Sequence, residues 1–246
     1  MNPLLVMSIE ASTSVDPFAR TCQAAHLLGW VCEHVNQHPS SEDADMHFQE
    51  AFTISSALKS LLFMMHSESE VAGAKPQKFF AAKGLVYAAL NTLYDVHSCI
   101  EPDDVEAVGG NRGLRLDLQQ HAIAGFKKVV DEVVVFASEI KAYYTMRPLG
   151  FQAIPVMVLF SLYSAAGTFA WYARETGAQK HLHALQELRE VLRPIGEMKW
   201  NVACKLSDLV PRTDGANFTQ SFVPGAVVRP RAHLPRSLLS VTIGSA

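Results

Sequence analysis

Ten histidines make metal ligation the first chemistry to look for in this chain. Zinc accepts imidazole nitrogens readily, and two histidines four apart on a helix present theirs from one face. His34 and His38 have that spacing. A zinc hydrolase also needs a glutamate directly after the first histidine as general base, and Val35 stands there instead. His38 falls at the end of its helix, and His181 and His183 are sent to different helix faces. Neither pair has a third histidine, cysteine or acid at ligand spacing. Both pairs therefore read as solvated surface histidines, and the sequence assigns no metal, cofactor or catalytic residue.

Asp103-Asp104-Val105-Glu106 is the one dense acidic cluster of interest. Such carboxylates hold magnesium in all-α prenyl-diphosphate enzymes, where they must lie on a helix facing a cavity, with a second metal motif downstream. Pro102 and Gly109-Gly110 put this cluster in a loop, and Asn201, Lys205 and Asp208 lack the second motif's Asn/Ser/Glu spacing. A solvated acidic loop is expected. No G-x-S-x-G elbow, P-loop or G-x-G-x-x-G turn occurs. Cys22, Cys32 and Cys204 sit in helical patterns as core or half-buried thiols. The four cysteines, with Cys99, form no C-x-x-C pair, which suits a reducing intracellular compartment. The N-terminal MNPLLVMSIEAS lacks the basic stretch of a secretory signal.

The elements that must position these residues are almost wholly helical. Asp16-Pro17 combines an N-cap carboxylate with proline at the first helical position. The run to about Val35 puts Ala24, Leu27, Leu28 and Val31 on one face. After a polar break from Asn36 to Asp45, a second helix reaches about His66, with Ile54, Leu58, Leu61 and Met65 recurring at helical spacing. A loop from Glu68 to Pro76 leads to a third helix, about Gln77 to Val96, apolar through Phe79, Phe80, Leu85, Tyr87, Leu90 and Leu93. Cys99 to Gly113 is the longest internal loop. Leu114 to about Thr145 reads as one long helix with Leu118, Ile123, Phe126, Val129, Val133, Phe136 and Ile140 inward. Pro155 starts an apolar helix, and two amphipathic helices follow, broken or kinked at Pro194. Ile195, Met198, Val202, Leu206 and Leu209 form the stripe of the second.

The apolar helix admits two readings. From Ile154 to Ala173 it carries no charge, and ~20 apolar residues suffice to span a bilayer. A membrane-anchored protein with its span near residues 154–173 is therefore one alternative, and an all-α prenyl-diphosphate-type enzyme a more distant one. Small residues at Ala165, Ala166, Gly167 and Ala170 suit close helix packing, and Arg147, Arg174 and Lys180 give no sided charge bias. A buried central helix in a soluble bundle is the expectation, with no membrane contact.

The fold class expected is all-α: an irregular multi-helix bundle around a buried apolar helix. Residues 1–15 read as a flexible N-terminus, 16–210 as one helical domain, and 211–246, rich in proline and glycine, as a largely unfolded tail. Net charge is −3 and the pI about 6.4, so no basic field of the nucleic-acid-binding kind surrounds the chain. From Pro211 onward, four arginines against Asp214 give +3, leaving −6 for the body.

Four blocks resemble the C-terminal half of the regulatory region in fungal binuclear zinc-cluster transcription factors, notably those of secondary metabolism. The first is Asp16 to Arg20 with Ala24 to Val31 (AAHLLGWV). The second is Glu50-Ala51 with Ser56 to Leu62 (SALKSLL). The third is Ala88 to Asp95 (AALNTLYD), followed by His97 and Cys99. The fourth joins the proline-led apolar helix, with Tyr163 and Ala165-Ala166, to Leu182, Leu185, Leu188 and Leu192, then Trp200 to Ala203. The blocks run from Asp16 to Val210, and their order and spacing carry the likeness. The resemblance implies an all-helical, non-enzymatic regulatory domain in the nucleus, controlling RNA polymerase II transcription. Its implied partners are the transcription machinery or regulatory proteins, a small-molecule effector, and a second copy of itself. The family's DNA-binding module holds two zincs on six cysteines, with C-x-x-C pairs, and this chain carries no such set. DNA contact is implied only through a module missing from this chain, and no ligand or base contact carries over.

Overall fold

The computed structural model describes residues 16–37, 39–40, 42–70, 75–98, 112–145 and 154–198. The chain divides into a unit Met1–Pro211 and a unit Arg212–Ala246, and every described residue belongs to the first. The fold is all-α. Six helices pack together, with no strand among the described residues: α1 (Pro17–Asn36), α2 (Ala44–Glu70), α3 (Phe80–Ser98), α4 (Arg112–Thr145), α5 (Val156–Thr176) and α6 (Gln179–Met198). A 3-10 turn, Pro76–Phe79, leads directly into α3.

Local chemistry explains the helix ends. Asp16 caps α1, its Oδ1 accepting the Phe18 amide at 2.7 Å, and Pro17 occupies the first turn. Gly177 closes α5 with φ +62, the left-handed conformation that an L side chain resists, and its amide donates to Ala173 O at 2.9 Å. At the same end of the α1–α2 pair as Asp16, Arg20 grips both carboxylate oxygens of Glu68, with Nε 3.2 Å from Oε2.

The stripe expected on α2 is fully enclosed, with Ile54, Leu58, Leu61 and Met65 all at 0% exposure. On α1, Ala24, Leu27 and Val31 are buried and Leu28 half-buried against them. The most enclosed helix is α3, which packs against α1, α2, α4 and α5. Fourteen of its nineteen residues are buried, and so is every apolar position expected there, with Phe79 falling in the preceding 3-10 turn. The apolar helix α5 is partly buried, packing against α3, α4 and α6 through Val158, Leu162, Ala165, Ala166 and Phe169. Gly167 faces open space rather than a neighbour. Among the described residues α5 is the one helix long and apolar enough to cross a membrane, with 39% of its most apolar window buried.

Three expectations need correction. Ile123 points outward at 36% exposure and Phe126 is half-buried; the inward face of α4 runs through Leu118, Ala122, Gly125, Val129, Val133, Phe136 and Ile140. The reason is the Tyr94 ring, which fills the space over Gly125: a Cβ there would lie 2.6 Å from Tyr94 Cζ. Pro194 does not divide two helices, because α6 continues through it to Met198. Proline removes one backbone hydrogen bond, and the burial of Val191, Leu192 and Ile195 on either side holds the helix together. Finally, Cys22 is exposed rather than packed, while Cys32 is half-buried as expected. The N-terminus before Asp16, the acidic cluster at Asp103, Cys99, the stripe beyond Met198 and the tail from 211 lie outside the described residues.

Candidate functional site

Three polar clusters lie along α3, and the one at its C-terminal end is the most concentrated. Helices α1, α2 and α3 run up, down and up. The end of α1, the start of α2 and the end of α3 therefore meet at one end of the bundle. Each delivers a histidine there: His34, His47 and His97. One ring nitrogen from each lies within 4.8 Å of the other two.

The geometry is built outward from His34, which is fully buried. Its Nδ1 is 2.8 Å from Glu50 Oε2, and the second carboxylate oxygen, Oε1, accepts Trp30 Nε1–H at 2.8 Å. An ionised carboxylate only accepts, so the His34 ring proton belongs on Nδ1 and its Nε2 is left facing inward. That Nε2 stands 3.0 Å from His97 Nε2. The His47 ring lies face to face on His34, centroids 3.9 Å apart and planes 10° from parallel. His47 Nδ1 is shielded from solvent and has no hydrogen-bond partner.

Electrostatics keep two of the rings neutral. Burial first, and then the adjacent His34, lowers His47 to about 4 and His97 to about 3. Burial works to raise Glu50, but the hydrogen bonds from His34 and Trp30 outweigh it and hold the carboxyl below its ordinary range. At neutral pH an ionised carboxylate stands behind His34, and the His47 and His97 imidazoles beside it are neutral. That is a donor set for a cation.

The second cluster joins α2, α3 and α4. Ser55 Oγ lies 2.7 Å from Tyr94 Oη and 3.1 Å from His121 Nε2, with Lys59 Nζ 3.4 Å from that nitrogen. A serine beside a histidine raises nucleophilic catalysis. Ser55 is 2% exposed and shares its hydroxyl with Tyr94, so a substrate carbonyl cannot reach it. Burial and the Lys59 ammonium both lower His121. The cluster reads as a satisfied core network.

The third is a cleft of about 520 Å³ beside the start of α3, lined by His66, Gln77, Phe80, Lys83, Glu139 and Tyr143 among others. Lys83 is 2% exposed and reaches Glu139 Oε2 at 3.1 Å. A cleft of this size with an ion pair in its wall can take a small molecule.

His34 is not the solvated surface histidine expected from the sequence. It is a core residue; His38 lies outside the described residues. His181 and His183 do diverge: His181 stacks on Tyr172, while His183 is exposed beside Glu187. His34, His47 and His97 lie on three different helices, so spacing along any one helix does not reveal their grouping. A usable signal was present: histidines within a turn or so of the end, start and end of three successive helices, with Glu50 one turn after His47.

The chain matches no protein-family model, no curated protein and no solved structure.

Proposed function

We propose that this chain is a non-catalytic regulatory domain of the kind found in fungal zinc-cluster transcription regulators. It would act in the nucleus on RNA polymerase II transcription, with a secondary-metabolite gene cluster as its target class. The observation that supports this is where the four blocks fall. The first lies on α1, the second on α2, the third on α3, and the described part of the fourth spans α5 and α6. All five helices belong to one hydrophobic core in which α3 touches α1, α2 and α5 directly. Segments alike in order and spacing thus form one packed unit, as a regulatory domain requires. The cleft at Lys83 and Glu139 supports a small-molecule effector as its input. DNA binding would come from a separate module or partner.

The test is to tether the chain to a heterologous DNA-binding domain at a reporter promoter in a fungal host. Output should rise or fall several-fold relative to the DNA-binding domain alone. The effect should vanish with Leu90→Asp, which places a charge at a fully buried position. Unchanged output on both an activation and a repression reporter, with the fusion present in the nucleus, would overturn the proposal.

A further inference from the structure

The geometry points to a zinc site formed by His34, His47 and His97, with Glu50 as the carboxylate behind it. This goes beyond the regulatory reading and does not depend on it.

His34 Nε2 and His97 Nε2 stand 3.0 Å apart. Two nitrogens bound to one tetrahedral zinc at ~2.0–2.1 Å stand ~3.3–3.4 Å apart. The pair is therefore already at nearly the separation that a shared ion imposes. Without a cation, the two facing lone pairs tolerate this distance only with a proton between them. Because Glu50 holds the His34 proton on Nδ1, that proton must come from His97 Nε2. A zinc ion takes its place when His97 moves its single ring proton to Nδ1, a tautomeric exchange that leaves the charge of the ring unchanged. His97 is only partly buried, so solvent can carry the exchange.

Glu50 supplies the second argument. A ligating histidine usually donates its other N–H to a carboxylate, which fixes the tautomer and strengthens the ligand nitrogen. Glu50 does this for His34, and Trp30 holds Glu50 from behind.

His47 supplies the third. Its Nδ1 is closed off from solvent with nothing to bond, an arrangement that buried polar groups avoid. One of its ring nitrogens lies within 4.8 Å of a ring nitrogen of both His34 and His97, so all three reach one shared position.

Three imidazoles without a carboxylate among them select a borderline ion over magnesium or calcium. Three protein ligands leave a fourth position for water or an incoming group. The ion would tie the ends of α1 and α3 to the start of α2, fixing three of the five helices that carry the regulatory resemblance.

The experiment uses the full chain, stripped with a chelator and dialysed. Zinc is titrated by calorimetry against a competing chromophoric chelator, and cobalt by visible absorption, which reads tetrahedral coordination directly. One ion per chain is expected, with the intense visible cobalt bands of a four-coordinate site. His97→Asn and His47→Asn should each weaken binding at least ~100-fold, while Glu50→Gln, which keeps all three rings, should weaken it ~10–100-fold. His183→Gln on the exposed face of α6 should leave it unchanged. Circular dichroism of each variant in chelator establishes that it is folded. Absence of a one-to-one zinc complex, or equal binding by folded His97→Asn and His183→Gln, would overturn the site. So would unaltered affinity in Glu50→Gln. None of these failures touches the tethering result, so the two proposals fall separately.

Discussion

His34 and His97, 63 residues apart in the chain, meet ring to ring with their Nε2 atoms 3.0 Å apart. The contact ties the last turn of α1 to the last turn of α3, and Glu50 reaches in from α2 to hold the His34 side of it. Three helices are thereby coupled through imidazoles, and imidazoles respond to pH.

Acid should loosen this end of the bundle in chelator-treated protein. His47 and His97 are held to about 4 and about 3 in the fold, against the ordinary 6.5 they recover on unfolding. Below 6.5 the unfolded chain therefore binds protons that the folded chain refuses. Their contribution is intact above pH 6.5 and is lost as pH falls through 4 and toward 3. The lowered Glu50 acts in the same sense below its ordinary 4.5. Urea midpoints measured from pH 7.5 down to 4.5 should fall steadily, and His97→Asn should flatten the decline. A midpoint that stays level over that interval contradicts the buried-neutral assignment.

Gly125→Ala should destabilise the protein even though alanine is the better helix former. The added Cβ would sit 2.6 Å from Tyr94 Cζ and 2.7 Å from Cε2, and Tyr94 is enclosed. Overpacking of this kind costs ~1–3 kcal/mol, more than the ~1 kcal/mol that helix propensity returns. Thermal unfolding should show a lower midpoint than wild type. Pairing the change with Tyr94→Leu should recover much of the loss, which identifies the ring as the obstacle.

Lys83 and Glu139 should respond asymmetrically. Removing Glu139 leaves an ammonium that is 2% exposed without its carboxylate, at a cost of roughly 2–3 kcal/mol. Lys83→Met keeps the stem packed beside Phe136 and removes the charge, so it should be near neutral or stabilising. Chemical denaturation of Glu139→Ala and Lys83→Met decides this, and equal losses in both would show that the ion pair itself contributes the stability.

Expressed in a fungal host, the chain should be released from membranes by an alkaline carbonate wash. Helix α5 has the length and a mean hydropathy of 1.4 that a span needs, yet it buries Val158, Leu162, Ala165 and Phe169 against other helices. Retention in the washed pellet would replace the regulatory reading with a membrane-anchored one.

The helices were legible wherever apolar side chains recur on one face. Ile54, Leu58, Leu61 and Met65 were readable because each turn repeats the same message. Ile123 misled because periodicity cannot distinguish a large apolar residue from the small ones beside it. The Tyr94 ring needed Gly125 under it, and that demand comes from another helix. Pro194 misled for a related reason, since local chemistry favours a break and tertiary burial on both sides overrules it. The histidine cluster was hidden more deeply. Its members share no helix, and their meeting depends on which helix ends the chain brings together. His34 read as a surface residue because no third ligand stands at ligand spacing beside it and His38 along the chain.

The enclosure of α3 has a consequence for the order in which the protein is made. Ser98 leaves the ribosome 78 residues before Thr176, the difference between the ends of α3 and α5. At ~5–20 residues per second, that interval is about 4–16 s. During it α1 and α2 can cover only part of a helix whose residues from Ala82 to Leu90 are all destined for the interior. A nascent chain in this state presents a nearly all-apolar cylinder to the cytosol. Slowing translation between Arg112 and Thr176 should lower the soluble yield, and raising the supply of chaperones that bind nascent apolar segments should restore it.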